Sequence, residues 1–255
     1  MTRDSFRQRV RRRDRLIGTF VKTPSHQVVE VLAGTDLDFL VIDAEHAPFG
    51  RADIDVGVLA ARASGMPALV RVPNVQADTV LNVLDVGATG ILVPHACSER
   101  TVLEAIAASR HRRGTRGFSN SPRAGGYGRI AMSQHVDQAD REVVVIGQVE
   151  DRAAIDVIER LAAIDEVDCL FIGRADLALS MGVDDIGDPC VEEALERVLA
   201  ACRAAGKASG IFVADASECA RFERLGASLF IVGSDQSLLR SHVGRMTATV
   251  RQGAA

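Results

Sequence analysis

The feature that most constrains the fold of this chain is an eightfold alternation of short apolar runs with longer stretches of helical period. The runs cover residues 16–22, 39–46, 67–72, 90–95, 142–150, 169–173, 208–213 and 228–235. Most are continuously apolar, which is typical of strands buried on both faces of a parallel sheet. Repeated strand–helix units place such strands side by side through right-handed crossovers.

Eight such units predict an α/β fold, a closed (β/α)8 TIM barrel, with an open doubly wound sheet of eight strands as the alternative. The 255 residues suit one barrel, and no Pro/Ser/Gly linker divides them, so we expect a single domain over residues 1–255. A short helical pattern before the first run predicts an extra N-terminal helix. We interpret its basic run, Arg7 to Arg15, as a solvated helix or a subunit contact.

The segments between the runs contain clear amphipathic helix patterns, such as QADTVLNVLDVGA, DRAAIDVIERLAAI and PCVEEALERVLAACRAAG. Ser98 and Asp151 stand where helix N-caps are expected. The longest irregular stretch, residues 111–140, is rich in Gly, Arg and Ser. A connection of this length indicates a functional loop or a subunit contact.

Charge and cysteine content restrict the class of protein. The net charge of -4 gives no indication of a nucleic-acid or membrane partner. The five cysteines have no zinc-like or redox-like spacing, which favours a reduced, cytoplasmic protein. We find neither a secretory signal pattern nor an apolar run of about 20 residues that would span a bilayer.

Acidic and cationic residues end several of the runs, and a barrel of this kind has its active site at the carboxyl ends of its strands. Glu150 ends the fifth run and Asp176 follows the sixth, so both carboxylates should meet at neighbouring strand ends. They suit a hard divalent ion, Mg²⁺ or Mn²⁺, with Co²⁺ or Zn²⁺ as alternatives. The alternative reading is an ion pair with Arg174 or Arg152.

Arg71 ends the third run, where its planar fork of donors suits a carboxylate or an enolate oxygen. An ion pair with Asp43 or Asp85 is the alternative. His46 can move protons near neutral pH, and Asp43 is placed to orient it. Phe212 ends the seventh run and is predicted to line the same pocket.

The segments DFLVIDAEHAPFG, LVRVPN, VLDVGATGILVPH, RGFSNSPRAGGYG, GQVE and LFIGRADLALSMG follow one another in an order that resembles the HpcH/HpaI aldolase family. This family consists of metal-dependent, pyruvate-type aldolases. The resemblance spans nearly the whole chain. It implies a (β/α)8 barrel, usually assembled as a hexamer of paired trimers that exchange terminal helices.

The resemblance also implies roles for individual residues. Glu150 and Asp176 match the metal ligands, Arg71 the arginine at the enolate oxygen, and His46 the acid/base histidine. Gln148 matches a substrate-site glutamine, and Asp85 matches an acid that closes the site of a neighbouring subunit. The backbone of Gly173, Arg174, Ala175 and Asp176 matches the clamp for the pyruvate carboxylate. The chain departs from the family at Arg174, where Pro is usual.

We therefore expect a metal-dependent aldolase that cleaves or forms the C–C bond of 4-hydroxy-2-oxo acids, yielding pyruvate or a related 2-oxo acid and an aldehyde. A Schiff-base aldolase is one alternative, and it would use Lys22, because the other lysine, Lys207, precedes the seventh run. A lyase acting on a hydroxyacyl-CoA is the second. A barrel that serves only as a binding scaffold is the third. We expect small-molecule partners and a homo-oligomer, hexamer or trimer.

Overall fold

The eight apolar runs form eight parallel strands in the computed structural model, which describes residues 5–252. Neighbours in the chain are neighbours in the sheet, and β1 also pairs with β8, so the sheet closes. The strands are β1 Leu16–Val21, β2 Phe39–Asp43, β3 Ala68–Arg71, β4 Gly90–Val93, β5 Val144–Val149, β6 Cys169–Ile172, β7 Ala208–Val213 and β8 Leu229–Ser234. The predicted (β/α)8 barrel is confirmed and the open sheet is excluded. The predicted domain 1–255 includes residues 1–4 and 253–255, which lie outside the described residues.

Helices separate the strands. They are α1 Phe6–Arg11, α2 His26–Ala33, α3 Arg51–Ala63, α4 Ala77–Asp85, α5 Glu99–Ser109, α6 Met132–Glu142, α7 Arg152–Asp156, α8 Ile158–Ala163, α9 Arg174–Ser180, α10 Pro189–Ala204, α11 Cys219–Leu225 and α12 Asp235–Gln252. Two 3₁₀ segments span Arg123–Gly128 and Ala216–Glu218. The hydroxyl of Ser98 caps α5 by accepting from the Thr101 N–H, as predicted.

Three local expectations need correction. Asp151 stands at the N-cap of α7 but makes no capping bond with its side chain. The segment predicted as one helix after β5 is two, α7 and α8, because Val157 leaves the helical region at φ -121° and ψ 13°. Part of the stretch 111–140 is regular, since it contains a 3₁₀ segment and most of α6.

The barrel interior is filled mainly by aromatic and branched side chains, and a second apolar layer lies between the strands and the outer helices. Gly18 shows how tightly the interior is packed, because a Cβ at this position would lie 2.6 Å from Cζ of Phe39. The Phe6 ring of α1 packs against the same Phe39, with 5.4 Å between ring centroids. The N-terminal helix therefore closes the amino end of the barrel.

The arginines of α1 bind that end of the barrel. Arg7 and Arg11 donate to the buried Asp168, which directly precedes β6, at 2.9 Å and 2.6 Å. Arg9 lies 2.5 Å from a carboxylate oxygen of Asp38. The interpretation of this basic run as a solvated helix is therefore wrong for Arg7, whose side chain is 11% exposed. Arg9 and Arg11 pair with aspartates but remain 33% and 42% exposed.

The last helix, α12, has no buried residue, although it carries several large apolar side chains. Leu239, Met246 and Val250 are each more than half exposed. Within residues 5–252, no helix combines the length and apolar character that a membrane span requires.

Candidate functional site

A cavity of about 540 Å³ opens at the carboxyl ends of the strands, as expected for this fold. Most of the residues predicted for the site line it, namely His46, Arg71, Gln148, Gly173, Arg174, Ala175, Asp176 and Phe212. Asp43 and Glu150 lie in the wall behind them, hydrogen-bonded to lining residues. Asp85 is the one predicted site residue that lies away from this cavity.

Asp43 and Arg71 form a two-point ion pair at the ends of β2 and β3, where the two residues are in register. Nε and Nη2 of Arg71 donate to the two carboxylate oxygens of Asp43 at 2.9 Å and 2.7 Å. Nζ of Lys22, which follows β1, lies 3.1 Å from Asp43 Oδ2. Both members of the Asp43–Arg71 pair are buried, so the guanidinium is held in one orientation.

Burial alone would raise the pKa of Asp43. The hydrogen bonds and charge of Arg71, with help from the His46 N–H and Lys22, outweigh burial and lower this pKa to about 2. Asp43 is therefore ionised at any physiological pH. In this state it accepts both hydrogen bonds from Arg71 and so holds that side chain in place.

His46 lies at the mouth of the cavity with 55% of its side chain exposed. Asp43 accepts a hydrogen bond from the backbone N–H of His46, at 3.1 Å, and so orients its main chain. The acid beside the ring is Glu45 instead, whose Oε2 lies 3.7 Å from Nε2 of His46. The ring is free to meet a ligand.

Glu45 ends the same run as Asp43 and His46 but was assigned no role from the sequence. Its Oε2 is buried, lies 3.4 Å from Nε of Arg71, and has no hydrogen-bond partner within residues 5–252. A buried acceptor oxygen without a donor calls for a ligand or water. Its position in the DAEH segment, between the predicted site residues Asp43 and His46, could have indicated that Glu45 also faces the site.

Glu150 is 2% exposed and is held by two donors. The backbone N–H of His95 donates to Oε1 at 2.8 Å, and the side-chain amide of Gln148 contacts Oε2. Burial is the main cause of a raised Glu150 pKa, which the His95 and Gln148 contacts only partly oppose. A cation beside this carboxylate would stabilise its ionised form.

His95, at the end of β4, adopts the left-handed backbone conformation, with φ 49°. This conformation is uncommon outside glycine. It turns the His95 N–H towards Glu150, while Nδ1 of the ring lies 3.1 Å from Asp151. The strained backbone of His95 thus allows its N–H to hold the buried Glu150 carboxylate.

Gly173 lies against Glu150, and Asp176 follows it by three residues on the cavity wall. Val149 pairs with Ile172, so Glu150 and Gly173 leave neighbouring strands at the same level. A Cβ on Gly173 would lie 3.0 Å from Glu150 Oε2, so glycine keeps this space open. Asp176 lies in the first turn of α9, exposed, and forms no ion pair within the described residues.

Of the four backbone N–H groups from Gly173 to Asp176, only that of Gly173 has a backbone acceptor within the described residues. Gly173 donates to the carbonyl of Val149 at 3.0 Å, while the first intrahelical bond of α9 runs from Leu177 to Gly173. The N–H groups of Arg174, Ala175 and Asp176 are therefore left to receive an anion such as a carboxylate.

The donor set of this corner fits a hard divalent ion. No three His, Cys, Asp or Glu side chains within residues 5–252 are grouped so as to hold a metal by themselves. Glu150 and Asp176 supply two carboxylates, and the space beside Gly173 admits an ion that completes its shell with water and substrate oxygens.

Arg174 does not block this corner, although it lines the cavity. Its Nη2 lies 2.8 Å from Glu218 and donates to the Phe212 carbonyl at 3.3 Å, and its guanidinium carbon lies 5.0 Å from the centre of the Phe222 ring. The arginine that replaces the usual proline thus joins the loop after β6 to the loop after β7.

Asp85 is the last residue of α4, the end that leads back to β4 at the amino end of the barrel. It pairs with the buried Arg116 at 2.9 Å. Asp85 therefore takes no part in the cavity of its own chain.

The rest of the wall mixes aromatic and polar groups. Phe212 packs against Phe20, with 6.0 Å between ring centroids, and the guanidinium of Arg71 lies 4.6 Å from the centre of the Phe20 ring. Arg240, from α12, also lines the cavity. The sequence could not indicate this residue, because nothing in the pattern of α12 distinguishes it from the other exposed arginines.

Comparison with known proteins gives matches over most of the chain. A family model described as HpcH/HpaI aldolase/citrate lyase matches residues 16–241. A 5-keto-4-deoxy-D-glucarate aldolase of Shigella boydii is 30% identical over 225 residues, which cover 88% of this chain and 87% of the relative. A hydroxypyruvate/pyruvate aldolase of Paraburkholderia phytofirmans is 32% identical over 237 residues, with 90% of each chain covered.

The solved structures agree with the sequence matches. The crystal structure of a HpcH/HpaI aldolase/citrate lyase family protein from Burkholderia cenocepacia J2315 is similar to this chain, with a TM-score of 0.91 and 35% identity. The similarity covers 96% of this chain and 98% of that one. It therefore includes the strand ends that form the cavity.

Proposed function

Because this chain belongs to the HpcH/HpaI aldolase/citrate lyase family, we propose that it cleaves and forms the C–C bond of 4-hydroxy-2-oxo acids, with pyruvate or a related 2-oxo acid and an aldehyde as products. The resemblance and the carbon–carbon lyase activity predicted from the sequence are confirmed by the aldolase relatives. One observation carries the proposal. An arginine fixed by Asp43 shares a cavity with Asp176 and with the amide that contacts Glu150.

Glu150 and Asp176 would hold the divalent ion, which when bound supplies Lewis-acid polarisation of the substrate's 2-oxo group. We propose Mg²⁺ or Mn²⁺, because both favour oxygen donors. The free N–H groups of Arg174, Ala175 and Asp176 would donate to the substrate carboxylate. Glycine at position 173 leaves room for it, because a Cβ there would lie 3.0 Å from Glu150 Oε2.

Arg71 would donate to the oxygen on which enolate charge develops. Its orientation is set in advance by Asp43, so little reorganisation is needed when the charge appears. His46, exposed at the mouth, would move the proton on the oxygen of the aldehyde side, with Glu45 as the neighbouring carboxylate.

Arg240 indicates the chemistry of the aldehyde. The other three cationic side chains that line the cavity are paired with carboxylates, namely Lys22 and Arg71 with Asp43, and Arg174 with Glu218. Arg240 has no ion pair within residues 5–252. We propose that the aldehyde carries a carboxylate that Arg240 binds, and a relative named for the sugar diacid 5-keto-4-deoxy-D-glucarate supports this proposal.

The alternatives are less well supported. A Schiff base needs an amine that is free to attack the carbonyl carbon, whereas Nζ of Lys22 is engaged in an ion pair with Asp43 at 3.1 Å. Lys207 donates to the carbonyls of Ile164 and Val167, away from the cavity. The named relatives are aldolases, which favours aldol chemistry over hydroxyacyl-CoA cleavage.

We also propose a cytoplasmic homo-oligomer, a hexamer or trimer, in which Asp85 reaches the cavity of a neighbouring subunit. The exposed apolar side chains of α12 and the distance of Asp85 from its own cavity support this proposal. Light scattering should then give three or six times the chain mass of 27.2 kDa, and a monomer would contradict it.

The test is a retro-aldol assay on a panel of 4-hydroxy-2-oxo acids, with lactate dehydrogenase reporting pyruvate. EDTA should abolish turnover and added Mg²⁺ or Mn²⁺ should restore it, except in Glu150→Ala. Arg71→Ala should lose about 100- to 1,000-fold in kcat while still binding Mn²⁺. Arg240→Ala should raise KM mainly for acids with a second carboxylate.

Arg100→Ala is the matched control, because Arg100 is 85% exposed on α5 and does not line the cavity. Turnover that is indifferent to EDTA and is trapped by borohydride would favour the Schiff base. An Arg71→Ala variant with wild-type kcat would overturn the role given to that arginine.

A further inference from the structure

Four arginines within residues 5–252 are more than nine-tenths buried, namely Arg71, Arg110, Arg116 and Arg174. Three of them pair with a carboxylate within 3 Å: Arg71 with Asp43, Arg116 with Asp85 and Arg174 with Glu218. Arg110, which is 5% exposed, is the exception. Both its Nη1 and Nη2 are buried without a hydrogen-bond partner in the described chain.

Arg110 follows α5 at the amino end of the barrel, opposite the active-site cavity. It lines a separate cavity of about 410 Å³ between α1 and the ends of α5 and α6. Six arginines line this cavity, namely Arg7, Arg11, Arg110, Arg112, Arg113 and Arg141, against four carboxylates. Positive charge is therefore in excess.

The nearest carboxylates are already engaged. Asp168 accepts from Arg7, Arg11 and the backbone N–H of Val145. Asp140 accepts from the backbone N–H groups of His111, at 2.7 Å, and Arg112, at 3.0 Å. Neither accepts a hydrogen bond from Nη1 or Nη2 of Arg110 within residues 5–252.

The electrostatics agree with this geometry. Burial, first, and the neighbouring charge of Arg7 lower the pKa of Arg110 to about 10. The guanidinium is still charged at neutral pH, and a buried charge without a counter-ion is costly.

We propose that this cavity binds a phosphate group, and that the free fork of Arg110 is its principal ligand. A guanidinium offers two parallel N–H donors that match two phosphate oxygens, and the surrounding arginines favour a doubly charged oxyanion. The occupant would lie between α1 and the barrel. The site is independent of the proposed aldol chemistry, because it lies at the other end of the strands.

The experiment is isothermal titration of the phosphate-free protein with inorganic phosphate, at an ionic strength held constant with sodium chloride, together with thermal unfolding. We expect saturable binding and a rise in Tm. Phosphate at one hundred times its Kd should lower the unfolding equilibrium constant about 100-fold. A second arm with glucose 6-phosphate separates free phosphate from a phosphomonoester, and tighter binding of the ester would identify a phosphorylated metabolite.

Arg110→Gln should weaken phosphate binding at least tenfold. In phosphate-free buffer it should be no less stable than the wild type, because it removes an uncompensated charge. Arg110→Lys keeps the charge but loses the fork, so it should fold and also bind phosphate more weakly. Arg100→Gln, on the exposed start of the same helix, should match the wild type in both measurements.

Absence of saturable binding by the wild type would overturn the proposal, whatever the variants do. Undiminished binding by both Arg110 variants would overturn it as well. If Arg110→Gln unfolds in phosphate-free buffer, the guanidinium has a structural partner and the proposal fails. Pyruvate release by Arg110→Gln at the wild-type rate would show that this site is separate from the aldolase cavity.

Discussion

The two ends of the barrel each bury an aspartate between two cationic side chains, and they use this arrangement differently. At the carboxyl end, Asp43 lies between Arg71 and Lys22. At the amino end, Asp168 lies between Arg7 and Arg11. Both carboxylates have no exposed surface on their side chains.

The surroundings of the two aspartates account for the difference. The cations on Asp168 come from α1, a helix that covers the barrel end and packs Phe6 into it. Arg71 instead lies at a strand end and faces an open cavity. Near it, Glu45 Oε2 and Gln148 Oε1 are buried without a hydrogen-bond partner within residues 5–252. Both oxygens of Asp168 already accept hydrogen bonds, so this carboxylate holds α1 on the barrel. Buried acceptor oxygens without donors, beside an open cavity, are suited to a ligand.

Removing Asp168 should give the largest effect on stability. Asp168→Ala leaves two arginines facing a buried site and frees the Val145 N–H, so the free energy of unfolding should fall by about 3–5 kcal/mol. Urea denaturation measures this change. Asp165→Ala, at an exposed carboxylate nearby, is the control and should change it little. Should the folded Asp168→Ala protein lose more than tenfold in kcat, this carboxylate would contribute to activity as well as to stability.

Asp43 should contribute stability that depends on acid pH. Its pKa falls from the usual 3.8 to about 2 in the fold, which corresponds to about 2 kcal/mol. This contribution is fully present above pH 3.8 and is lost as the pH falls through 2. Asp43→Asn should therefore be about 2 kcal/mol less stable than the wild type at pH 7, and the gap should close on acidification.

Chemical denaturation of both proteins between pH 7 and about pH 2 measures this gap. Asp53→Asn, in the first turn of α3 with an exposed side chain, is the control. A gap that stays constant down to about pH 2 would show that the Asp43–Arg71 pair does not stabilise the fold through its charge.

A smaller effect should come from His135, on α6. This ring is 3% exposed, has no hydrogen-bond partner for either nitrogen within residues 5–252, and lies 5.7 Å from the His111 ring. Burial, first, and the charge of Arg116 lower the His135 pKa below 6.5. Stability is therefore present above pH 6.5 and is lost as the pH falls below it, because the unfolded chain takes up the proton first.

His135→Phe should consequently lose less unfolding free energy than the wild type between pH 7 and pH 5, as followed by urea denaturation. The exposed His26 provides the control variant, His26→Phe. Equal pH dependence in the wild type and His135→Phe would mean that the buried ring is not what responds to acid.

Sequence reasoning located the strands and the residues at their ends, because hydrophobic period and chain order are local properties. The rule that barrel sites lie at the carboxyl ends of strands predicted that Arg71 and Glu150 share one site, and the structure places Arg71 on the cavity and Glu150 in its wall. The sequence left open whether Arg71 pairs with Asp43 or Asp85. The structure places Asp43, 28 residues away in the chain, against Arg71. The sequence pattern did not predict the break at Val157, because the apolar period continues across this residue.

Local sequence alone therefore predicted the parallel barrel, which the structure confirms, and the gathering of polar residues at the carboxyl ends of its strands. Only the tertiary structure decided the partners: Asp43 for Arg71, Glu218 for Arg174, and none within the described residues for Arg110. The apolar pattern of a strand depends only on residues that are close in sequence. The partner of a buried charge depends on which distant side chains the closed sheet brings within about 3 Å.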